Sequence, residues 1–213
     1  MKKIVFLFFA FSCILTYSQR FPEVRNFNGL KAGVNFFNIN SDEIDFKSGT
    51  GFNVAYTRRL PLAQILEANL FVEYQQNNFS VDATNLVTVD EVDYKLHSVK
   101  LGALANFKAY GPYLSIVAGP VLQFNDKLKY DDEFENHLVI NEEEEPITVN
   151  DLSQISGFNF LFAAGISAGE MNYKLYGLYE FGINNILSSV PLSGGNSLTG
   201  HSGILTVGAI IYF

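Results

Sequence analysis

The sequence has no tryptophan and a single cysteine, Cys13. That cysteine lies inside an apolar run, Ile4 to Leu15, preceded by Lys2 and Lys3 and followed by Thr16-Tyr17-Ser18. A positive start, an apolar stretch and a small-x-small site define a secretory signal, so residues 1–18 are expected to be removed before Gln19. The run is short for a membrane helix, which needs roughly 20 residues. Ala10-Phe11-Ser12 is a poor lipobox, and Cys13 is read as part of the signal. The mature domain, 19–213, then has no cysteine. Disulfides, thiolate nucleophiles and cysteine-ligated metals are excluded.

Positive charge is also scarce, with 14 basic residues against 22 acidic ones. Without Lys2 and Lys3 the balance is 12 against 22, a formal charge of −10. Nucleic-acid binding needs a basic surface, so that class is excluded. No long apolar helix follows the signal, yet 48% of the chain is hydrophobic. The aromatic residues are 20 Phe and 11 Tyr, a composition suited to lipid-facing strands and interfacial girdles.

What is present is alternation. In Tyr113 to Asn125, Leu114, Ile116, Ala118, Pro120, Leu122 and Phe124 share one phase. Ser115, Val117, Gly119, Val121, Gln123 and Asn125 share the other. Side chains on a strand alternate between faces, so one face is wholly apolar and the other mixed. A tilted membrane strand needs about 9–11 residues, which this stretch supplies. Seven further stretches read the same way: Gly29 to Phe37, Gly49 to Leu60, Gln64 to Phe79, Val92 to Phe107, Gly157 to Gly169, Tyr173 to Asn184 and Gly203 to Phe213. The pattern predicts an all-β fold, an eight-stranded antiparallel up-and-down transmembrane β-barrel.

The connections alternate long and short. Asn38 to Ser48, Ser80 to Glu91, Asp126 to Ser156 and Asn185 to Ser202 are read as polar loops. Pro61-Leu62-Ala63, Lys108 to Pro112 and Glu170-Met171-Asn172 are read as tight turns. Outer-membrane barrels have short periplasmic turns and longer extracellular loops, which puts both termini on the periplasmic side. A soluble lipocalin-like barrel or sandwich would reverse inside and outside. The signal, the loop asymmetry and the aromatic terminal strand favour the outer membrane.

Several segments resemble the PorT-like outer-membrane β-barrel family of Bacteroidetes. They are G-L-K-A-G-V-N-F (29–36), L-E-A-N-L-F-V-E-Y-Q-Q (66–76), G-P-Y-L-S-I-V-A-G-P (111–120), Y-G-L-Y-E-F-G-I-N-N-I-L (176–187) and the closing I-I-Y-F. The resemblance covers nearly the whole mature chain and implies a barrel. The founding type implies an alternative role, as an assembly factor of a type IX secretion or gliding machinery. The terminal Phe213 resembles the signal read by the barrel insertion machinery. The expected surroundings are outer-membrane lipid and lipopolysaccharide, with a protein partner as a further expectation.

The inward phase carries Lys31, Arg59, Lys100 and Lys174 against Glu67, Glu73 and Glu180. Isolated buried ions are costly, and a barrel of this size is just wide enough for side chains to fill. These residues are therefore expected to pair as a structural plug, with a narrow transport pore as the alternative. The second candidate is the acidic loop: Asp131, Asp132, Glu133, Glu135 and the run Glu142, Glu143, Glu144, Glu145. The run lacks the D-x-D-x-D-G spacing of a calcium loop, and charge runs are usually solvated. No metal and no cofactor are expected; a binding partner for this loop is.

An active site is not expected either. Esterase chemistry needs a serine, a histidine base and an orienting acid in reach of one another. The only histidines are His97, His137 and His201. His97 and Ser98 are adjacent on a strand and point apart. His137 lies in the acidic loop, and His201-Ser202 has no evident acid partner.

Overall fold

The computed structural model describes residues 27–141, 146–191 and 198–213. The expected signal and Glu142 to Glu145 lie outside the described residues. The strands in chain order are β1 (Phe27–Asn40), β2 (Phe46–Lys47), β3 (Gly49–Ala63), β4 (Leu66–Thr84), β5 (Val89–Tyr110), β6 (Leu114–Asn125), β7 (Leu138–Val139), β8 (Phe158–Gly169), β9 (Tyr173–Gly182) and β10 (His201–Tyr212). Eight of them, β1, β3, β4, β5, β6, β8, β9 and β10, form an antiparallel ring closed by β1 on β10. Ring neighbours are sequence neighbours throughout, so the barrel is up-and-down as expected. Closure removes the free edges that an open sheet would leave. The start of β1 and the end of β10 meet at the rim carrying the tight turns, where the Phe213 amide donates to the Asn28 carbonyl at 2.8 Å.

The alternation in the sequence becomes two surfaces. Leu30, Val34, Phe52, Val54, Leu70, Val72, Ile116, Phe160, Phe162, Ile166, Val207 and Ile211 are exposed in one continuous outer band. Their neighbours in sequence, among them Lys31, Asn35, Asn53, Glu73, Lys100, Gln123, Asn159 and Glu180, are buried inside. Water would not tolerate so large an apolar exterior on a soluble domain.

Toward the loop end this polarity inverts along the same strands. On β1 the inward positions pass from Lys31 and Asn35 to Phe37 and Ile39, while the outward ones pass from Phe36 to Asn38. On β4 the inward series runs Glu73, Gln75, Asn77, then Phe79, Val81 and Ala83. On β5, Val92, Tyr94 and Leu96 point in, while Glu91, Asp93 and Lys95 point out. Above the inversion the protein has an ordinary water-soluble arrangement, apolar inside and polar outside.

The inward apolar ends form one core with residues that the sequence places in loops. Ile44, Leu128, Ile147, Val149, Leu152, Ile155, Ile186, Leu187, Val190 and Leu198 pack with Phe37, Phe79, Val92, Tyr94 and Leu96. Burying each such large side chain contributes roughly 1.5–3 kcal/mol, enough to hold loops that have little regular structure. Within 126–156 a one-turn helix, Val149–Leu152, starts at a capping box: the Thr148 hydroxyl accepts from the Asp151 amide at 3.1 Å, and the Asp151 carboxylate accepts from the Thr148 amide at 3.2 Å. The Tyr94 hydroxyl donates to the Val149 carbonyl at 2.9 Å, and the Ser156 amide to the Ile186 carbonyl at 2.8 Å. The loops thus bond to the strands and to each other.

Several expected boundaries move. Ser80 to Glu91 is not a loop: β4 and β5 stay paired from Leu66↔Phe107 up to Thr84↔Val89. It looked like one because its outward positions are polar, as they must be in water. Pro61-Leu62-Ala63 belongs to β3, with Pro61 paired to Glu67 and, after a register shift, Ala63 to Leu66, and the turn is Gln64-Ile65. Asn38 to Ser48 contains the end of β1 and all of β2, which pairs with Ser80 and Val81. Asp126 to Ser156 and Asn185 to Ser202 contribute buried core rather than solvated loop alone.

Candidate functional site

The first candidate site is the lumen. Lys31 and Glu73 lie on β1 and β4, two strands apart, with Ala55 of β3 between them in register. The small alanine leaves room for the Lys31 ammonium to reach the Glu73 carboxylate at 2.7 Å. The Asn53 amide donates to the same oxygen at 2.8 Å. Lys100 projects from β5 between Glu73, at 4.0 Å, and Glu180 of β9, to which it donates directly. All four charged groups are buried. In so poorly hydrated a space each charge requires its partner, because an unpaired buried ion costs several kcal/mol.

Aromatic rings complete the filling. Phe71 faces Gly102 in register, and a Cβ on Gly102 would collide with the Phe71 ring. Glycine there is a packing requirement. The Lys31 ammonium sits 4.7 Å from the Phe71 ring centre and 4.6 Å from that of Tyr176, a cation–π position on both faces. The residual cavity beside them is about 30 Å³.

A second cluster lies toward the tight-turn rim. Glu67 accepts from Lys108 at 2.8 Å and has the Arg59 guanidinium 3.9 Å away. Arg59 also donates to the Met171 carbonyl at 3.0 Å and stacks 4.2 Å from the Tyr212 ring centre and 4.5 Å from that of Phe27. Lys174 reaches the Pro112 carbonyl at 3.1 Å. Six of the seven expected lumen charges therefore enter ion pairs with acid–base partners, and Lys174 takes a backbone oxygen instead. Lys108 joins them: expected as the first residue of a tight turn, it lies on β5, which runs on to Tyr110 and keeps it on the inward phase.

Above the ion pairs is an amide layer, uncharged and so unmarked by the charge pattern of the sequence. Asn35 donates to Asn77 at 3.0 Å and accepts from Thr206 at the same distance. The Asn53 side-chain amide donates to the Tyr176 hydroxyl at 3.3 Å. The apolar core then closes the barrel mouth. From the tight-turn rim upward the interior is therefore ionic, then amide, then hydrocarbon.

The second candidate, the acidic loop, does not converge on a point. Asp131, Asp132, Glu133 and Glu135 are exposed around a short 3₁₀ turn, Asp132–Phe134. The Asp131 carboxylate accepts from the Glu133 amide at 3.4 Å, a capping role. Among the described residues no group of three or more His, Cys, Asp and Glu side chains is placed to hold a metal ion. The histidines are dispersed: His97 meets the Tyr74 hydroxyl at 2.7 Å on the outer face, His137 lies 3.8 Å from Asp90, and His201 bonds the Gly182 carbonyl at 3.0 Å.

No family model matches the sequence, and no curated protein does. Solved structures do. Neisserial surface protein A (NspA) aligns with a TM-score of 0.53 at 15% identity, covering 87% of this chain and 97% of that one. The outer membrane protein OprG from Pseudomonas aeruginosa aligns with a TM-score of 0.51 at 10% identity, covering 90% of this chain and 97% of that one. At such identities the likeness shows the fold: an eight-stranded outer-membrane β-barrel. The apolar band supplies the independent physical reason, and the protein is located in the bacterial outer membrane. By the same rule of short periplasmic turns, the capped end faces outward.

Proposed function

We propose that this protein is a non-enzymatic outer-membrane barrel that holds a structured extracellular cap as a binding platform. The observation that carries this reading is the single apolar core joining four strand ends to three loops at the outer mouth. A channel has no use for a hydrocarbon seal above a lumen already spanned by ion pairs. A platform needs such a seal, because it fixes the outer surface to the barrel. Lipid and lipopolysaccharide contact the outer band and its rim, and the insertion machinery reads the exposed terminal Phe213. Membership of the PorT-like family belongs to this proposal and rests on the order and spacing of the strand motifs.

The test combines two measurements on protein extracted from outer membranes. Unboiled samples should migrate faster than boiled ones, and planar bilayers should show no single-channel steps above the lipid background. Regular conductance steps from folded protein would overturn the platform reading in favour of a pore.

A further inference from the structure

Among the described residues, nearly all the exposed large apolar side chains have a place in the lipid band or at its two rims. Four do not: Leu86, Val87, Val89 and Ile140. The first three sit at the outer tip of the β4–β5 hairpin. Leu86 is 83% exposed and Val87 88% exposed. The tip is far from lipid: β4 continues ten residues beyond the rim residue Tyr74, to Thr84, roughly 25 Å along the membrane normal for a tilted strand, and Leu86 lies past its end. Ile140 borders the hairpin, because its amide donates to the Asp82 carbonyl at 3.0 Å.

The tip is held in shape. Leu86 has φ 73, a left-handed conformation that a branched apolar side chain rarely adopts. Asn85 accepts from the Val87 and Thr88 amides at 3.0 and 2.9 Å, and the Thr84 hydroxyl accepts from the Leu86 amide at 3.1 Å while donating to the Thr88 carbonyl at 2.8 Å. Strain at a fixed position is maintained only where the surroundings impose it, and it is common at ligand clamps. Here its effect is to present two aliphatic side chains to water.

The surroundings of the tip state what would cover it. Asp90 follows directly, and beside it the outer face of β5 borders a hollow of about 480 Å³. Asp93 and Asp131 line this hollow with Glu91, which Lys47 already holds, and with Lys95 and Lys129 at its membrane side; the exposed Asp132, Glu133 and Glu135 that follow Asp131 make the flank acidic. An anionic lipopolysaccharide surface is repelled by such a flank. A second copy would bring the same carboxylates against themselves. We infer that the β4–β5 tip docks into a protein that offers an apolar pocket for Leu86 and Val87, with Lys or Arg side chains on its rim entering the hollow beside β5. This rests on the platform reading and names the site and chemistry of the platform's partner.

The experiment places a photo-crosslinking p-benzoylphenylalanine at Val87 in one strain and at exposed Asn136 of the acidic loop in another, in living cells. The protein crosslinked through Val87 is then purified and titrated against the intact barrel in detergent. Leu86→Ser and Val87→Ser should each weaken binding by about tenfold or more, the worth of one desolvated aliphatic side chain. Asp93→Asn should flatten the salt dependence of binding. Heat-modifiable mobility confirms that each variant is folded. Adducts with lipopolysaccharide or a second copy at Val87 would overturn the inference, as would a partner indifferent to both serine variants. Adducts from Asn136 with none from Val87 would sink the tip while leaving the platform standing. Protein adducts at neither position would remove both.

Discussion

Lys100 on β5 and Glu180 on β9 meet across the lumen, joining opposite walls of the barrel through one buried hydrogen-bonded ion pair. Removing one partner strands the other in a dry interior. Lys100→Met is expected to destabilise the barrel by about 3–5 kcal/mol, and Lys100→Met with Glu180→Leu to recover much of that loss. Urea unfolding in detergent micelles, followed by tryptophan-free far-UV dichroism, measures both. A double variant no better than the single one would show that the pair is not the source of the cost.

The same lumen variants should stay electrically silent. The apolar seal above them does not depend on Lys100 or Glu180, so loss of the ion pairs opens no continuous path. Planar-bilayer recording of the double variant checks this, and ohmic steps would show that the ion pairs alone close the barrel.

Gly102 is expected to tolerate no side chain. Gly102→Val drives a branched group into the Phe71 ring, an overpacking cost of about 1–3 kcal/mol. Adding Phe71→Ala should relieve it. Equal stability of the single variant and the wild type would mean the ring moves aside freely.

The barrel and its cap should fail separately. Phe79→Ala removes a ring that touches Phe37, Phe46 and Tyr94 in the cap, a loss of about 3–5 kcal/mol locally. The expected result is faster protease cleavage within 126–156 on intact cells with heat-modifiable mobility unchanged. Loss of the mobility shift would instead show one cooperative unit.

Lys47 clasps β2 to the outer face of the hairpin, with its ammonium 2.6 Å from Asp82 and 2.9 Å from Glu91. Hydrogen bonds to Asp82 first, and then to Glu91, hold its pKa above the usual lysine range. The folded value is raised, so the stabilisation is complete below the ordinary lysine value and disappears as pH rises through the raised one. Protection of the 46–47 and 80–82 amides, taken relative to their intrinsic base-catalysed exchange, should therefore fall only in strong alkali, and Lys47→Met should abolish that pH step.

Strand phase was legible in the sequence because lipid and lumen impose opposite chemistry on successive residues. Lys31, Glu73, Lys100 and Glu180 could be assigned inward from alternation alone. That they pair followed from their burial, but not which partner each takes, since Lys31 meets Glu73 across an intervening strand and Lys100 meets Glu180 across the lumen. The cap escaped for a different reason. Val81, Ala83 and Val92 alternate with Ser80, Asp82 and Glu91 just as membrane residues do, but with the polar phase outward. Taking Ser80 to Glu91 as a polar loop hides that second register. Asp131, Asp132, Glu133 and Glu135 stand exposed around the 3₁₀ turn, while Phe134 between them packs on the core.

The inversion of polarity along β1, β4 and β5 also fixes the protein's depth in the bilayer. Sinking the barrel by one residue pair, about 5 Å along the membrane normal for a tilted strand, would push Asn38 and Gln76 into hydrocarbon. Raising it by the same step would lift Phe36 and Tyr74 into water. The strands thus carry their own waterline, and the height at which the hairpin tip stands above the cell is written into their sequence.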